Sequence, residues 1–213
     1  MIQKMLLIFG IFSSLLYALM NIFIPMRWEE YNSVSQTVSE LSAIGAPTRQ
    51  VWITLGLIYT LLFIAFGWGV RSMAPSSRPL RGVAGLIIVY GIISLAWPLA
   101  PMHLRGAEFS LTDSMHIALG FITILIMLFI MGFGAAVFEK SFRFYSILSI
   151  IAFLTSGILT GIEAPRIAEN LPTPWIGIWE RLSIGIFLVW IVLFAIKLLR
   201  TTRQPGLYHE LIK

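Results

Sequence analysis

The stretch SMHIALGFITILIMLFIMGFGAAVF (Ser114–Phe138) carries no Asp, Glu, Lys or Arg across 25 consecutive residues. About twenty apolar residues in helical rise match the hydrocarbon thickness of a bilayer. The run is long enough to cross a membrane as one helix. Five further apolar runs share its character: Leu6–Ile24, Val51–Val70, Gly82–Leu99, Tyr145–Ile162 and Ile178–Leu199. Backbone polar groups have no water to bond to inside lipid, so each run is expected to be helical. The period-two alternation of a membrane barrel is absent.

The composition agrees. Of 213 residues, 58% are hydrophobic and 12% charged, about half the charge of an ordinary soluble domain. The expected fold is an all-α bundle of six transmembrane helices spanning residues 1–200, with a tail over 201–213. Met1–Leu16 has the charge and apolar content of a signal peptide. The apolar run continues past Tyr17 without a small-residue cleavage site, so a retained first helix is expected. There is no cysteine, which excludes disulfides, thiolate metal sites and cysteine nucleophiles.

Charge placement predicts orientation. Lys4, Arg71, Arg78, Arg81, Lys140, Arg143, Lys197, Arg200, Arg203 and Lys213 fall on one side of the six runs. Arg27, Arg49, Arg105, Arg166 and Arg181 fall on the other. The positive-inside rule then places both termini in the cytoplasm, in a plasma-membrane protein. Basic residues distributed in this way follow topology and do not form a nucleic-acid patch. Eight of the ten acidic residues, with His103 and His116, lie on the outer side. Trp28, Trp52, Trp97, Trp175 and Trp179 cluster near the outer helix ends, as an aromatic belt does. A working site is therefore expected on the outer face, with membrane lipids or a small amphiphile as partner.

The first outer connection, RWEEYNSVSQTVSELSAIGAPTR (Arg27–Arg49), has an S-x-x-Q capping pattern at Ser33–Gln36. Val34, Val38 and Leu41 recur at helical spacing, and Gly45 and Pro47 form a stop. A short amphipathic helix is predicted here. It would carry Ser39 and Ser42 on a polar face beside Glu40, with Arg49 near enough to pair with Glu40. The third outer region contains His103, Arg105 and an S-x-x-D cap, Ser110–Asp113, opening the fourth span. Asp113 and His116 share a helix face at i, i+3.

Two chemistries suit these residues. His103, Asp113 and His116 form a candidate zinc set, two imidazoles and a carboxylate. Without a metal or other cofactor, His116 is a candidate base, Asp113 its partner, and Glu163 or Glu180 an acid. A serine triad with Ser39 or Ser42 lacks the nucleophile-elbow pattern. The third histidine, His209, falls in the tail and away from this group. Arg181, in the first turns of the sixth span, needs a partner such as Asp113, Glu163 or Glu40, or else an anion. Candidate binding residues are thus Ser39, Glu40, Arg49, His103 and Arg181. The middles of the spans hold no ionisable group, which disfavours ion-coupled transport. Gly157 and Gly161 form a GxxxG, expected to pack inside the bundle.

Together, Ser39–Pro47, the proline-bearing approach to PMHLRG, TDSMH and GIWER resemble the bacterial and archaeal multi-span family catalogued as domain of unknown function 998. The resemblance spans nearly the whole chain. It implies that the outer-face residues belong together and implies no substrate. Three readings follow from residues and resemblance: an amphiphile-binding protein, an interfacial lipid hydrolase or transferase, and a transporter.

Overall fold

In a computed structural model, described over residues 1–74 and 77–202, all six apolar runs are helices. The tail histidine His209 lies outside the described residues. The long helices are α1 (Ile2–Phe23), α2 (Arg49–Ser72), α3 (Arg78–Ser94), α4 (Leu111–Ala135) and α5 (Lys140–Glu163). A one-turn helix, α6 (Pro165–Ala168), follows, and α7 (Ile176–Thr201) is the last long helix. Each long helix packs on its sequence neighbour, and α7 packs on both α5 and α1. The six form a closed ring in chain order, as short connections between antiparallel helices favour.

The ring has two unlike halves. One half holds the start of α1, the end of α7 and the two short connections, α2–α3 and α4–α5. It is filled by large side chains, among them Phe63, Phe66, Phe187, Trp190 and Phe194, all at most 1% exposed. Lipid tails are as apolar as these side chains, so close packing rather than a hydrophobic force joins the helices. Glycines permit that closeness. A Cβ on Gly134 of α4 would overlap the Trp190 ring, and one on Gly69 of α2 would press on Leu6 of α1. Trp190 donates its indole N–H to Ser146 Oγ at 2.9 Å, which satisfies its one polar atom at no cost to the packing.

The other half carries the three long connections, and large side chains such as Tyr17, Trp52, Tyr59 and Tyr90 stand around a space there rather than filling it. Gly56, Gly157 and Gly161 have open space where a Cβ would stand. The GxxxG of α5 therefore does not serve as a packing seam, contrary to the sequence expectation. Both glycines face a cavity.

The predicted amphipathic helix is also corrected. Residues 28–48 contain turns and a single 3-10 turn, Ser39–Ser42. The physical reason is competition for backbone groups. Arg181 takes the carbonyls of Ser33 and Gln36. Arg105 takes the Ser35 carbonyl, Gly177 N–H takes that of Val34, and Glu180 takes the Val38 amide. Groups that would close a helix are bonded to other elements instead. Gly45, at φ +89°, supplies the left-handed turn that returns the chain toward α2.

Candidate functional site

Three side chains bind the long connections together. Glu40 is fully buried and accepts a two-pronged interaction from Arg105, Nε to Oε1 at 2.7 Å and Nη2 to Oε2 at 3.0 Å. The planar guanidinium fork suits a carboxylate in this way, and a lysine would not match it. The remaining Arg105 donors reach Thr173 Oγ1 at 2.7 Å and the Ser35 carbonyl at 2.8 Å. One arginine thus joins the first, third and fifth connections. In the sequence Arg105 is one of five arginines expected on the outer side, with no motif around it. A lone arginine in a loop carries no local signal of a partner 65 positions away.

Arg181 is the second tie. It lies beside Tyr31, with its guanidinium 5.6 Å from the ring centroid, and donates to Tyr31 Oη at 2.6 Å. Tyr31 in turn donates to the Thr37 carbonyl at 2.6 Å. Burial pushes the Tyr31 phenol well above its ordinary range, against the lowering pull of Arg181, so it stays a neutral donor. Arg181 is bonded to carbonyls and this phenol, and the expected pairing with Asp113, Glu163 or Glu40 is not formed. Glu163 instead accepts the Trp175 amide at 3.2 Å.

The histidine–aspartate pair exists with a different histidine. Asp113 does form the predicted cap, accepting the Ser110 amide at 2.9 Å and Ser110 Oγ at 2.7 Å. Its histidine partner is His103, which donates its backbone N–H at 2.7 Å and Nδ1–H at 2.8 Å. His116 points elsewhere. Its Nδ1 donates to the Ala100 carbonyl at 2.8 Å, and its ring meets Trp97 edge-on, 4.8 Å between centroids. Metal-ligand convergence of His103, Asp113 and His116 is therefore not observed. Among the described residues no group of three such side chains is placed to hold a metal. The i, i+3 spacing gave the right face, but the proline-bearing turn at residues 97–101 brings its own carbonyl to His116 and its following histidine to Asp113.

Beneath these ties lies a cavity of about 500 Å³, within the usual range of small-molecule sites. Its deep wall is formed by Tyr59, Tyr90, Ser94, Thr123, Met127 and Phe153, and Tyr59 and Tyr90 share a hydroxyl hydrogen bond of 3.2 Å. At the long-connection end it is lined by Ser39, Ser42, Arg49, His116 and Glu180. Four of the residues singled out from sequence, Ser39, Arg49, His116 and Glu180, converge here. Glu40, His103, Asp113, Glu163 and Arg181 do not line it, and act instead on the chain around it.

The polar end has distinct donors and acceptors. Arg49 donates to the Ser42 carbonyl and forms no ion pair among the described residues. The expected pairing of Arg49 with Glu40 is absent, because Arg105 occupies that carboxylate. Glu180 accepts the Val38 amide at 2.5 Å and Ser39 Oγ at 3.4 Å. Since His116 Nδ1 must donate to a carbonyl, Nε2 of the neutral ring is an acceptor. It has no partner among the described residues.

These features define a multi-pass helical membrane protein with a cavity roofed by three cross-tied connections. The chain belongs to the family described as protein of unknown function (DUF998), whose profile matches residues 11–197. No curated protein and no solved structure matches it significantly.

Proposed function

We propose that this protein binds an amphiphile with an anionic head on the outer face of the plasma membrane. The observation that carries the reading is the cavity itself: apolar along most of its wall, with the guanidinium of Arg49 at one end and no carboxylate paired to it. A buried or half-buried cation without a counter-ion favours an anionic ligand. His116 Nε2 can accept from a head-group hydroxyl, and the Ser39 hydroxyl, whose bond to Glu180 is long at 3.4 Å, can donate to a phosphoryl oxygen. The apolar wall takes the chain. Positive-inside charge bias supports the outer placement, with both termini cytoplasmic.

A second reading is favoured by one observation, the free Nε2 of His116 in the same cavity as Glu180. A neutral imidazole with Nδ1 anchored is in the tautomer a general base requires. Ester hydrolysis of the bound amphiphile is the corresponding chemistry: His116 Nε2 would take a proton from a water as its oxygen bonds to the acyl carbon or phosphorus, and Glu180 would give a proton to the alcohol oxygen as its ester bond breaks. His103 and Asp113 would position the turn that holds His116.

Binding is tested first, with dodecyl phosphate, dodecanol and inorganic phosphate as probes on the purified protein. Dodecyl phosphate is expected to bind and raise the melting temperature. Arg49→Gln should weaken it about tenfold or more, the scale of one charge-assisted hydrogen bond. Equal binding of inorganic phosphate would remove the chain-binding part of the reading. Equal binding of dodecanol would remove the role of Arg49, and no binding of any probe would remove the reading.

A further inference from the structure

Five cavity-lining residues are also on the outer surface of the ring. Ile117, Phe121 and Ile124 on α4 are 63%, 62% and 39% exposed, and Gly161 on α5 and Ala164, the residue that caps it, are exposed as well. A residue that lines a cavity and also faces outward marks an opening. These two sets lie on helices packed against each other, so the opening is the gap between α4 and α5. Elsewhere around the ring, Leu57 on α2 is the single exposed lining residue among those described. From Ile117 to Ile124 the gap runs about 10 Å along α4.

The chemistry of this gap is that of lipid contact. Its five exposed residues are all apolar, and all lie within helices long and apolar enough to span a membrane. On the α5 side the wall is low, because a Cβ at Gly157 or Gly161 would meet nothing within 4 Å. The other approach, from the long-connection end, is polar and crossed by the first connection. Val38, Ser39 and Ser42 line the cavity there, held by Glu180 and by the Glu40–Arg105–Thr173 tie. A ligand entering from water would have to bring its apolar chain past this hydrogen-bonded polar rim, whereas one entering from the bilayer meets only apolar side chains and lipid.

We infer that the amphiphile is an anionic lipid of the bilayer itself, one chain of which enters the cavity sideways between α4 and α5 while its head reaches Arg49. This rests on the binding reading above. It also makes the ligand membrane-resident, with no need for a soluble carrier at this protein. Gly157 and Gly161 are then threshold residues, kept small so that a chain can pass.

The test uses the full chain in phosphatidylcholine vesicles containing phosphatidic acid with a photoactivatable diazirine in its acyl chain. After illumination, the expected label lies on the buried lining residues Thr123 and Met127 as well as on lipid-facing Phe121. Gly161→Trp, which fills open space at the threshold, should reduce the interior label about tenfold, the scale of overfilling a formed site. Label on Phe121 should persist. Ala164→Trp is the second plug, used if the first variant fails to fold. Label confined to Phe121 in a protein that binds dodecyl phosphate would overturn the sideways route and leave the binding reading standing. Interior label unchanged by a folded plug variant would overturn it too. A protein that takes neither probe loses the binding reading as well.

Discussion

Removing Arg105 isolates the most deeply buried charge in the described chain. Glu40 has no exposed surface. It keeps its bonds from the Thr37 amide at 2.7 Å and Thr37 Oγ1 at 2.9 Å, but those are neutral donors. Arg105→Ala takes away the counter-charge, both carboxylate bonds, and the links to Ser35 and Thr173. Breaking a buried pair from one side costs about 3–5 kcal/mol, which for a chain of this length lowers the melting point by about 6–20 °C. Glu40→Gln with Arg105→Ala should lose less than Arg105→Ala alone, because no charge is stranded. The assay is thermal unfolding of the purified wild type, both single variants and the double variant, followed by tryptophan fluorescence. Coupling of about 0.5–3 kcal/mol between the two positions is expected for a directly bonded pair. Arg105→Ala melting with the wild type, or two substitutions that add without coupling, would refute a stabilising Glu40–Arg105 pair.

Two glycines of similar sequence context should behave oppositely: Gly134→Ala should sharply reduce folded yield, because the added carbon overlaps Trp190, while Gly157→Ala should be tolerated in its open space. Comparable yields of the two by gel filtration would contradict the division of the ring into a packed and a hollow half. At the termini end, Lys197 donates to Glu139 and holds its carboxyl below the usual range. A depressed folded-state pKa contributes stability above the ordinary carboxylate range and loses it as pH falls through the lowered value. Glu139→Gln should therefore flatten the acid limb of the melting-point profile, and an unchanged limb would assign that slope to other groups. For topology, the absence of native cysteine permits single-cysteine labelling without background. Glu108→Cys should react with an impermeant maleimide in intact cells and Thr202→Cys should not, and the reverse pattern would invert the orientation.

Much of the site was legible as residue types and little of it as partnerships. Ser110–Asp113 reads as a cap because capping is local, and it forms as read. Arg49, His116 and Glu180 stood out because polar groups at the ends of apolar helices are costly without a task, and Ser39 by its place on the polar face of the helix expected in the first connection. Their convergence on one cavity depends on how six helices close into a ring. The pairings were misread where several partners of suitable charge lay within reach. Glu40 takes Arg105 rather than Arg49, Asp113 takes His103 rather than His116, and Arg181 takes carbonyls of the first connection. Each choice is made by backbone geometry that has no local sequence pattern.

The sequence by itself determined that the chain spans a membrane six times as helices, since uncharged apolar length and backbone satisfaction in lipid are properties of each segment alone. It also determined where the polar residues gather. Tertiary structure alone decided that residues 28–48 are irregular rather than helical, that Gly157 and Gly161 open a wall rather than join one, and that a hollow lies beneath the connections. A periodic pattern states which face of a segment is apolar but not what meets it. Long-range donors from Arg105, Arg181 and Glu180 outbid the local helix, and the space beside a glycine depends on a neighbour that its own sequence does not encode.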